Sequence, residues 1–383
     1  MSDPKNIQTE NSEKRFHGLD FLRAIAMLLG IVLHAPLFYY VPQISEAYSL
    51  PEIKPWIMAI VYWIHNWRMP VFFMIAGFFC LLVIESKSLG YFLKDRIIRL
   101  GIVLVIFGAL FDLSDGKIDG RLMHLWFLYY LIIISFTYCF LLYLFKNLAP
   151  RLINHWHHLL FCIFQTPMRI LFLLVFLILL RIFSDTLDGG TIRIPFDYLD
   201  IKIGSLFYYM IWFLIGASLF AKNSALKSIS NRNSLLILGI ISVISFPISF
   251  FYGQGIFGVM SSEMQSNSDV LIGSISAGFS TSSWVLLMVG VTNVLIKNTN
   301  KVIRWLVELS YPIYIIHLLP SEKICEALIL NGFSQSSVFI LTIFLTFIVS
   351  TILYYAFVKY TPLNWIINGY RKSWFRFSLK GKN

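Results

Sequence analysis

Residues 18–38, GLDFLRAIAMLLGIVLHAPLF, predict a membrane-spanning helix that contains ionisable side chains. The apolar run of Leu, Ile, Ala, Val and Met is close to the roughly 20 residues that a helix needs to cross a bilayer. Asp20, Arg23 and His34 lie in or beside this run. An ionisable group at the bilayer centre costs about 2.5–3.5 kcal/mol on insertion scales, so each of these residues requires an explanation.

Helical geometry relates these residues to one another. Arg23 and His34 are eleven residues apart, so an α-helix places them on one face, about 16 Å apart along its axis. Asp20 precedes Arg23 by three residues, a spacing that suits a side-chain pair. Alone, Arg23 is explained as a snorkelling interfacial anchor and Asp20 as a first-turn acid. A histidine deep in the membrane needs a polar partner or a water-filled cavity, so His34 is either functional or part of a helix–helix hydrogen bond.

The composition extends the membrane interpretation to the whole chain. Of its 383 residues, 57% are hydrophobic and 13% are charged, whereas soluble domains usually carry about 25% charged residues. These values predict an all-α polytopic membrane protein. The four cysteines include no CxxC pair, so we predict neither a disulfide framework nor a metal site.

Apolar stretches of spanning length recur along the chain and predict about ten transmembrane helices. They cover approximately residues 19–40, 57–84, 97–112, 122–145, 158–183, 203–221, 234–252, 270–296, 304–320 and 336–358. Lys and Arg concentrate in alternate connecting segments, and both chain termini belong to the basic set. This alternation follows the positive-inside rule for an even number of spans with the N- and C-termini in the cytoplasm. We therefore assign the net charge of +11 to membrane topology and predict no nucleic-acid partner.

The predicted domain organisation is a cytoplasmic tail over 1–16, a membrane-embedded domain over 17–360 and a basic, aromatic cytoplasmic tail over 361–383. The chain has no P-loop, no dinucleotide fingerprint, and no zinc-protease or serine-hydrolase signature. Carboxylates are almost absent from the predicted spans, whereas proton-coupled transporters usually place Asp or Glu there. The His, Arg and aromatic residues that remain suit acid–base chemistry beside an anionic ligand.

Further candidate residues lie in or beside the predicted spans. They are His65 and Arg68 ahead of Pro70, Arg96 and Arg99 at the cytoplasmic mouth of the third span, His124 at the start of the fourth, and His317 after Pro312. Arg96 and Arg99 are explained either as positive-inside anchors or as a phosphate clamp, because paired guanidinium groups fit phosphate geometry. A hydrogen bond within the protein core is an equal alternative to a functional role for His317.

Five segments resemble, in the same order, the signatures of acyltransferase family 3. They are LDFLRAIAMLLGIVLH (19–34), RMPVFFMIAGFF (68–79), FLKDRIIRL (92–100), HLWFLYYLI (124–132) and LSYPIYIIHLLP (309–320). The resemblance covers about residues 16–360 and is strongest to the branch that succinylates periplasmic glucans. It implies a multi-pass enzyme of the bacterial inner membrane. Such an enzyme moves a succinyl or acetyl group from cytoplasmic acyl-CoA to a hydroxyl of a periplasmic or cell-envelope glycan, or of a lipid-linked saccharide.

The resemblance also assigns roles to the candidate residues. It makes His34 the catalytic base and Arg23 the residue that holds or polarises the donor, with Asp20 supporting Arg23. It places Arg96 and Arg99 where a CoA phosphate docks, and it leaves His65, Arg68, His124 and His317 to line the cavity, orient His34 or stabilise the oxyanion. Acyl-CoA enters as a substrate, and no bound cofactor is expected. The alternative is a transporter or flippase that binds an anionic lipid-linked or glycan substrate through the same arginines.

Overall fold

The computed structural model describes residues 16–114, 116, 120–183, 192–252 and 266–369. Within these ranges the regular secondary structure is helical, apart from an isolated bridge between Arg121 and Asp197. The prediction of an all-α polytopic membrane protein is therefore confirmed. Most of the predicted tails, 1–16 and 361–383, lies outside the described residues.

The α-helices are named in chain order. They are α1 (His17–His34), α2 (Leu37–Tyr40), α3 (Pro42–Ala47), α4 (Pro55–Ser86), α5 (Leu89–Arg96), α6 (Val103–Ser114), α7 (Trp126–Leu148), α8 (Pro150–Phe164), α9 (Pro167–Phe183), α10 (Ile203–Ala221), α11 (Asn223–Ile229), α12 (Arg232–Tyr252), α13 (Asn267–Leu295), α14 (Lys301–Ile316), α15 (Leu318–Leu330) and α16 (Gln335–Leu353). π-Helical segments cover Ile97–Ile102, Tyr354–Val358 and Trp365–Gly369, and a 3₁₀ turn covers Met123–Leu125.

In the part of the chain that the structure describes, seven helices are long and apolar enough to cross a membrane. The number is nine if each of two bent helix pairs counts as one span. The pair α8–α9 bends by 116° and the pair α14–α15 bends by 70°. The predicted span 97–112 falls on a π-helix followed by α6, each shorter than a spanning helix. The count of ten and the cytoplasmic position of the termini stay predictions.

The first predicted span, 19–40, is divided in the structure. α1 ends at His34, and the short helix α2 follows only after Pro36. Proline lacks the backbone N–H that a continuing helix needs, so the break is a local consequence of the sequence. His34 therefore lies in the last turn of a helix rather than in its middle.

Backbone-to-backbone contact joins α4 to α10. A Cβ atom at Gly77 would collide with the carbonyl group of Phe213, and one at Gly216 would collide with that of Met74. Small residues permit such close approach between membrane helices, where packing rather than hydrophobic transfer drives association. This contact holds α4, which carries Arg68, against the bundle.

We expect Gly216→Ala to lower the thermal unfolding temperature of the detergent-purified protein. The added methyl group overpacks the α4–α10 contact, which costs about 1–3 kcal/mol. Gly239→Ala on α12 is the matched control, because among the described residues nothing beyond its own stretch of helix lies within 4 Å of its Cβ position. Equal unfolding temperatures for the two variants would contradict the close contact.

Candidate active site

Three histidines from separate parts of the chain meet in the structure; we call them the histidine cluster. The ring centroids are 5.4 Å apart for His34 and His317, 5.3 Å for His124 and His317, and 6.3 Å for His34 and His124. His124 and His317 are buried, and His34 is half-buried. The cluster thus joins His34, the predicted catalytic base, to two of the five supporting candidates.

Each histidine of the cluster lies at a break in helical structure. His34 is in the last turn of α1, and His317 is the residue between α14 and α15, where the chain bends by 70°. His124 lies in the 3₁₀ turn before α7, next to Met123, whose φ of +43° is in the left-handed region. A non-glycine residue there costs on the order of 1–3 kcal/mol and often marks a functional site. Helix ends leave backbone carbonyls without an intrahelical partner. Two histidines of the cluster form hydrogen bonds with carbonyls at the end of α14.

Backbone carbonyls define which nitrogen of two rings carries the proton. His124 Nε2 donates to the carbonyl oxygen of Ile315 at 3.2 Å, and His317 Nδ1 donates to that of Tyr314 at 2.7 Å. A carbonyl only accepts, so these nitrogens carry hydrogen in the neutral rings. His124 Nδ1, His317 Nε2 and His34 Nδ1 are buried with no hydrogen-bond partner among the described residues. These nitrogens are therefore placed to exchange protons or hydrogen bonds with a ligand.

Arg68 borders the histidine cluster. Its guanidinium carbon is 6.0 Å from the ring centroid of Tyr314, whose hydroxyl donates to the carbonyl of His124. A Cβ atom at Gly30 would lie 3.3 Å from His317 Nε2 and 3.5 Å from Arg68 Nη2. The glycine one turn before His34 therefore leaves room for both groups. His65 lies one turn before Arg68 on α4 and is half-buried.

A cavity of about 590 Å³ lies at the opposite end of α1; we call it the basic cavity. Its polar lining comprises His17, Asp20, Arg23, Arg96, Arg99, Thr299, Arg304, Glu308, Ser310, Tyr311, Asn364 and Asn368, and its apolar lining comprises Met27, Phe72, Ala76, Phe79, Leu100, Phe127, Leu131 and Val307. The helix ends that border it are those for which the sequence predicts a cytoplasmic position. Arg23 belongs to this cavity, together with Arg96 and Arg99, and not to the histidine cluster.

Local contacts hold two of the four arginines that line the cavity, Arg23 and Arg99. Arg23 forms an ion pair with Asp20, with 3.0 Å between Nη2 and Oδ1, and its guanidinium lies over the ring of Phe79. Arg99 lies in the π-helix Ile97–Ile102, and its Nε donates to the carbonyl of Ile367 at 3.3 Å. π-Helical turns are frequent at functional sites. Arg96 Nε is buried and has no hydrogen-bond partner in the described part of the chain, as expected of a group that binds a ligand.

Aromatic rings lie between the basic cavity and the histidine cluster. Phe72 and Phe127 line the cavity and contact each other, with 4.8 Å between ring centroids. Phe127 also packs edge-to-face on Tyr314 at 4.8 Å, and Tyr314 contacts the rings of His124 and His317 at 5.4 and 5.7 Å. The two polar sites are thus separated by one aromatic layer.

A family model described as an acyltransferase domain matches residues 16–355. The chain belongs to acyltransferase family 3. The predicted enzyme class is thereby confirmed at the level of the family. Family membership also favours an enzyme over the transporter or flippase alternative.

Several curated proteins are similar to part of this acyltransferase. Among them are the glucans biosynthesis protein C of Escherichia coli O1:K1 / APEC and that of Escherichia coli O157:H7 (strain EC4115 / EHEC). Each is 29% identical over 167 residues, which cover 37% of this chain and 42% of the relative. The chain thus spans less than half the length of these relatives. No solved structure matches it at a significant level.

Sequence reasoning missed several polar residues of this family 3 member. Glu308 is an acid inside the predicted span 304–320, so the criterion that singled out His34 applies to it as well. Asn364 and Asn368 are four residues apart after the last predicted span, and both line the basic cavity. Arg181 is buried, and its Nη1 donates to Thr281 Oγ1 at 2.6 Å. Only the folded chain shows that contact, since the two residues are far apart in sequence.

The absence of a side chain at Gly30 gives a test of the histidine cluster. We expect Gly30→Ala to lower acyl-transfer turnover by roughly tenfold to a hundredfold, because the methyl group displaces His317 or Arg68 by a fraction of an ångström. Acyl transfer by the purified protein measures turnover, and Gly239→Ala is again the control. Normal turnover in Gly30→Ala would show that the cluster does not require this spacing.

Proposed function

We propose that the protein is a multi-pass O-acyltransferase of the bacterial inner membrane. It moves a succinyl or acetyl group from cytoplasmic acyl-CoA to a hydroxyl of a periplasmic or cell-envelope glycan. The observation that carries the proposal is the placement of two complementary sites on one helix. α1 presents Arg23 to the basic cavity and His34 to the histidine cluster, with an aromatic layer between them. Membership of acyltransferase family 3 supports the reaction class.

The basic cavity suits the donor. Guanidinium groups bind phosphate oxygens through paired, charge-assisted hydrogen bonds, and Arg23, Arg96 and Arg99 supply them from two helical segments. The apolar wall with Phe72 and Phe127 suits the pantetheine arm, which must reach from the phosphates toward the histidines. Movement of this aromatic layer then admits the thioester to the cluster.

The histidine cluster suits the transfer step. A neutral imidazole has a reference pKa near 6.5, so it can accept a proton at neutral pH. His34 takes the proton of the acceptor hydroxyl while that oxygen attacks the thioester carbonyl. The tetrahedral intermediate collapses, the ester remains on the acceptor, and the departing thiolate takes the proton from His34. Arg68 stabilises the oxyanion of the intermediate, because preorganised charge is most effective where water is excluded.

The matched pair His34→Ala and His155→Ala tests the catalytic base. We expect His34→Ala to lower CoA release by at least about 100-fold, since general-base catalysis contributes that much or more. The affinity for CoA should stay unchanged because the basic cavity is intact. His155 is an exposed histidine of α8 whose Nδ1 contacts the carbonyl of Arg151, so its loss should change neither quantity.

The assay combines purified protein, labelled succinyl- or acetyl-CoA, and periplasmic glucan from a strain that lacks this gene. Mass analysis of the glucan identifies the group transferred. Full turnover by His34→Ala, with a normal unfolding temperature, would refute the assignment of His34 as the base.

The double variant Arg96→Gln/Arg99→Gln tests the donor site. We expect its Kd for CoA to rise by about tenfold or more, because each charge-assisted hydrogen bond contributes roughly 1.5–3 kcal/mol. CoA binding to the unmodified protein should weaken as salt is added, and this dependence should be smaller in the variant. Arg232→Gln is the control, since Arg232 is an exposed arginine at the start of α12. An unchanged Kd in the double variant would leave both arginines as topology anchors.

A further inference from the structure

The lining of the basic cavity is divided by chemistry. Arg23, Arg96 and Arg99 come from α1 and from the helical segment that begins with α5. A second part of the lining, from α14 and the C-terminal segment, carries Glu308 and Asn368. This second part of the lining also contains one cationic side chain, Arg304, which lies one turn before Glu308 on α14. The other carboxylate of the lining, Asp20, is paired with Arg23, whereas Glu308 belongs to the part without these three arginines and calls for a ligand group that is not a phosphate.

A chain of hydrogen bonds fixes the orientation of the amides in this second part. Asn364 Nδ2 donates to the backbone carbonyl of Lys359 at 3.0 Å, which turns Asn364 Oδ1 toward Asn368. Asn368 Nδ2 donates to that oxygen at 2.9 Å and to the hydroxyl of Tyr354 at 3.3 Å. The Tyr354 hydroxyl in turn donates to Glu308 Oε1 at 2.8 Å. Because the chain starts at a carbonyl, every donor and acceptor in it is determined.

In Glu308 and Asn368, the hydrogen-bonding capacity that remains consists of acceptors. Glu308 Oε1 also lies 3.4 Å from Lys359 Nζ, whereas Glu308 Oε2 has no protein partner within the described ranges. Both hydrogens of Asn368 Nδ2 are used, so its Oδ1 is the open atom. The side-chain exposure of Glu308 is 45%, which places its carboxylate at the open side of the cavity. A ligand must therefore present hydrogen-bond donors at this position.

We propose that Glu308 and Asn368 bind the nucleoside end of the acyl donor by accepting hydrogen bonds from its base amine or ribose hydroxyls. The inference rests on the proposed function. With the phosphates on the arginines and the pantetheine arm directed toward Phe72 and Phe127, the nucleoside is the remaining part of acyl-CoA at the open side. A base and a ribose offer donors, whereas phosphate groups would be repelled by the carboxylate.

The C-terminal π-helix Trp365–Gly369 links this subsite to the phosphate site. It carries Asn368, and the carbonyl of its Ile367 accepts the hydrogen bond from Arg99 Nε. The hydroxyl of Tyr311, another cavity residue, donates to the carbonyl of Arg99 at 2.6 Å. One short element therefore positions both a nucleoside contact and a phosphate contact.

Ligand fragments separate the two ends of the donor. We expect Glu308→Gln and Asn368→Ala each to weaken binding of CoA and of adenosine 3′,5′-bisphosphate by about tenfold, and to leave the Kd of 4′-phosphopantetheine unchanged. Titration calorimetry in detergent measures each Kd, and the unfolding temperature of each variant shows whether it is folded. Glu85→Gln is the control. Glu85 is an exposed carboxylate at the C-terminal end of α4, and it does not line the cavity.

Two donor analogues identify the group that is read. A CoA analogue with hypoxanthine in place of adenine lacks the exocyclic amine, and a 2′-deoxy analogue lacks one ribose hydroxyl. The analogue that lacks the recognised group should bind the unmodified protein about tenfold more weakly and be insensitive to Glu308→Gln.

These binding measurements separate a failure of the nucleoside subsite from a failure of the proposed function. If Arg96→Gln weakens CoA binding while folded Glu308→Gln and Asn368→Ala bind CoA normally, the nucleoside subsite is wrong and the donor site stands. Equal weakening of 4′-phosphopantetheine would also overturn it, since the contact would then be to the other end of the donor. If the unmodified protein binds neither CoA nor its fragments, the proposed function fails and the subsite fails with it.

Discussion

The carbonyl groups of Tyr314 and Ile315 lie in the last turn of α14, where the helix breaks at His317. In the interior of a membrane bundle, backbone groups must find partners within the protein. His317 Nδ1 and His124 Nε2 supply these partners, and the Tyr314 hydroxyl returns a hydrogen bond to the carbonyl of His124. The contacts that satisfy the backbone at this helix break therefore also set the tautomers of two histidines, and their other nitrogens stay without a hydrogen-bond partner in the described part of the chain.

The same constraint separates the chemistry of the protein by depth. Charged groups of the basic cavity lie at helix ends, where ion pairs such as that of Arg23 with Asp20 remain partly exposed. The deeper cluster consists of histidines. A neutral imidazole ring costs far less free energy to bury than a cation does. Arg68 is the buried cation beside that cluster, and its position depends on the close α4–α10 contact and on the space left by Gly30.

Much of this arrangement is predictable from local pattern. The spacing of Asp20 and Arg23 predicted their ion pair, because three residues in a helix bring side chains together whatever the fold. The helical class followed from apolar length. The position of His34 at a helix end did not follow from the apolar length, since Pro36 ends α1 earlier than the apolar run suggests. The eleven-residue spacing put Arg23 about 16 Å from His34 along the helix axis, and Arg23 lies with Arg96 and Arg99 at the other end of α1.

By itself, the sequence determined the all-α membrane class, the family and the residue types available for catalysis, because apolar length and short motifs are local properties. Only the tertiary structure decided that His124 and His317 join His34, and that Glu308 and Asn368 share a cavity with the arginines. These groups are separated by tens to hundreds of residues in the chain. They meet where helices break and pack, and the geometry of a break depends on the partner that satisfies its backbone.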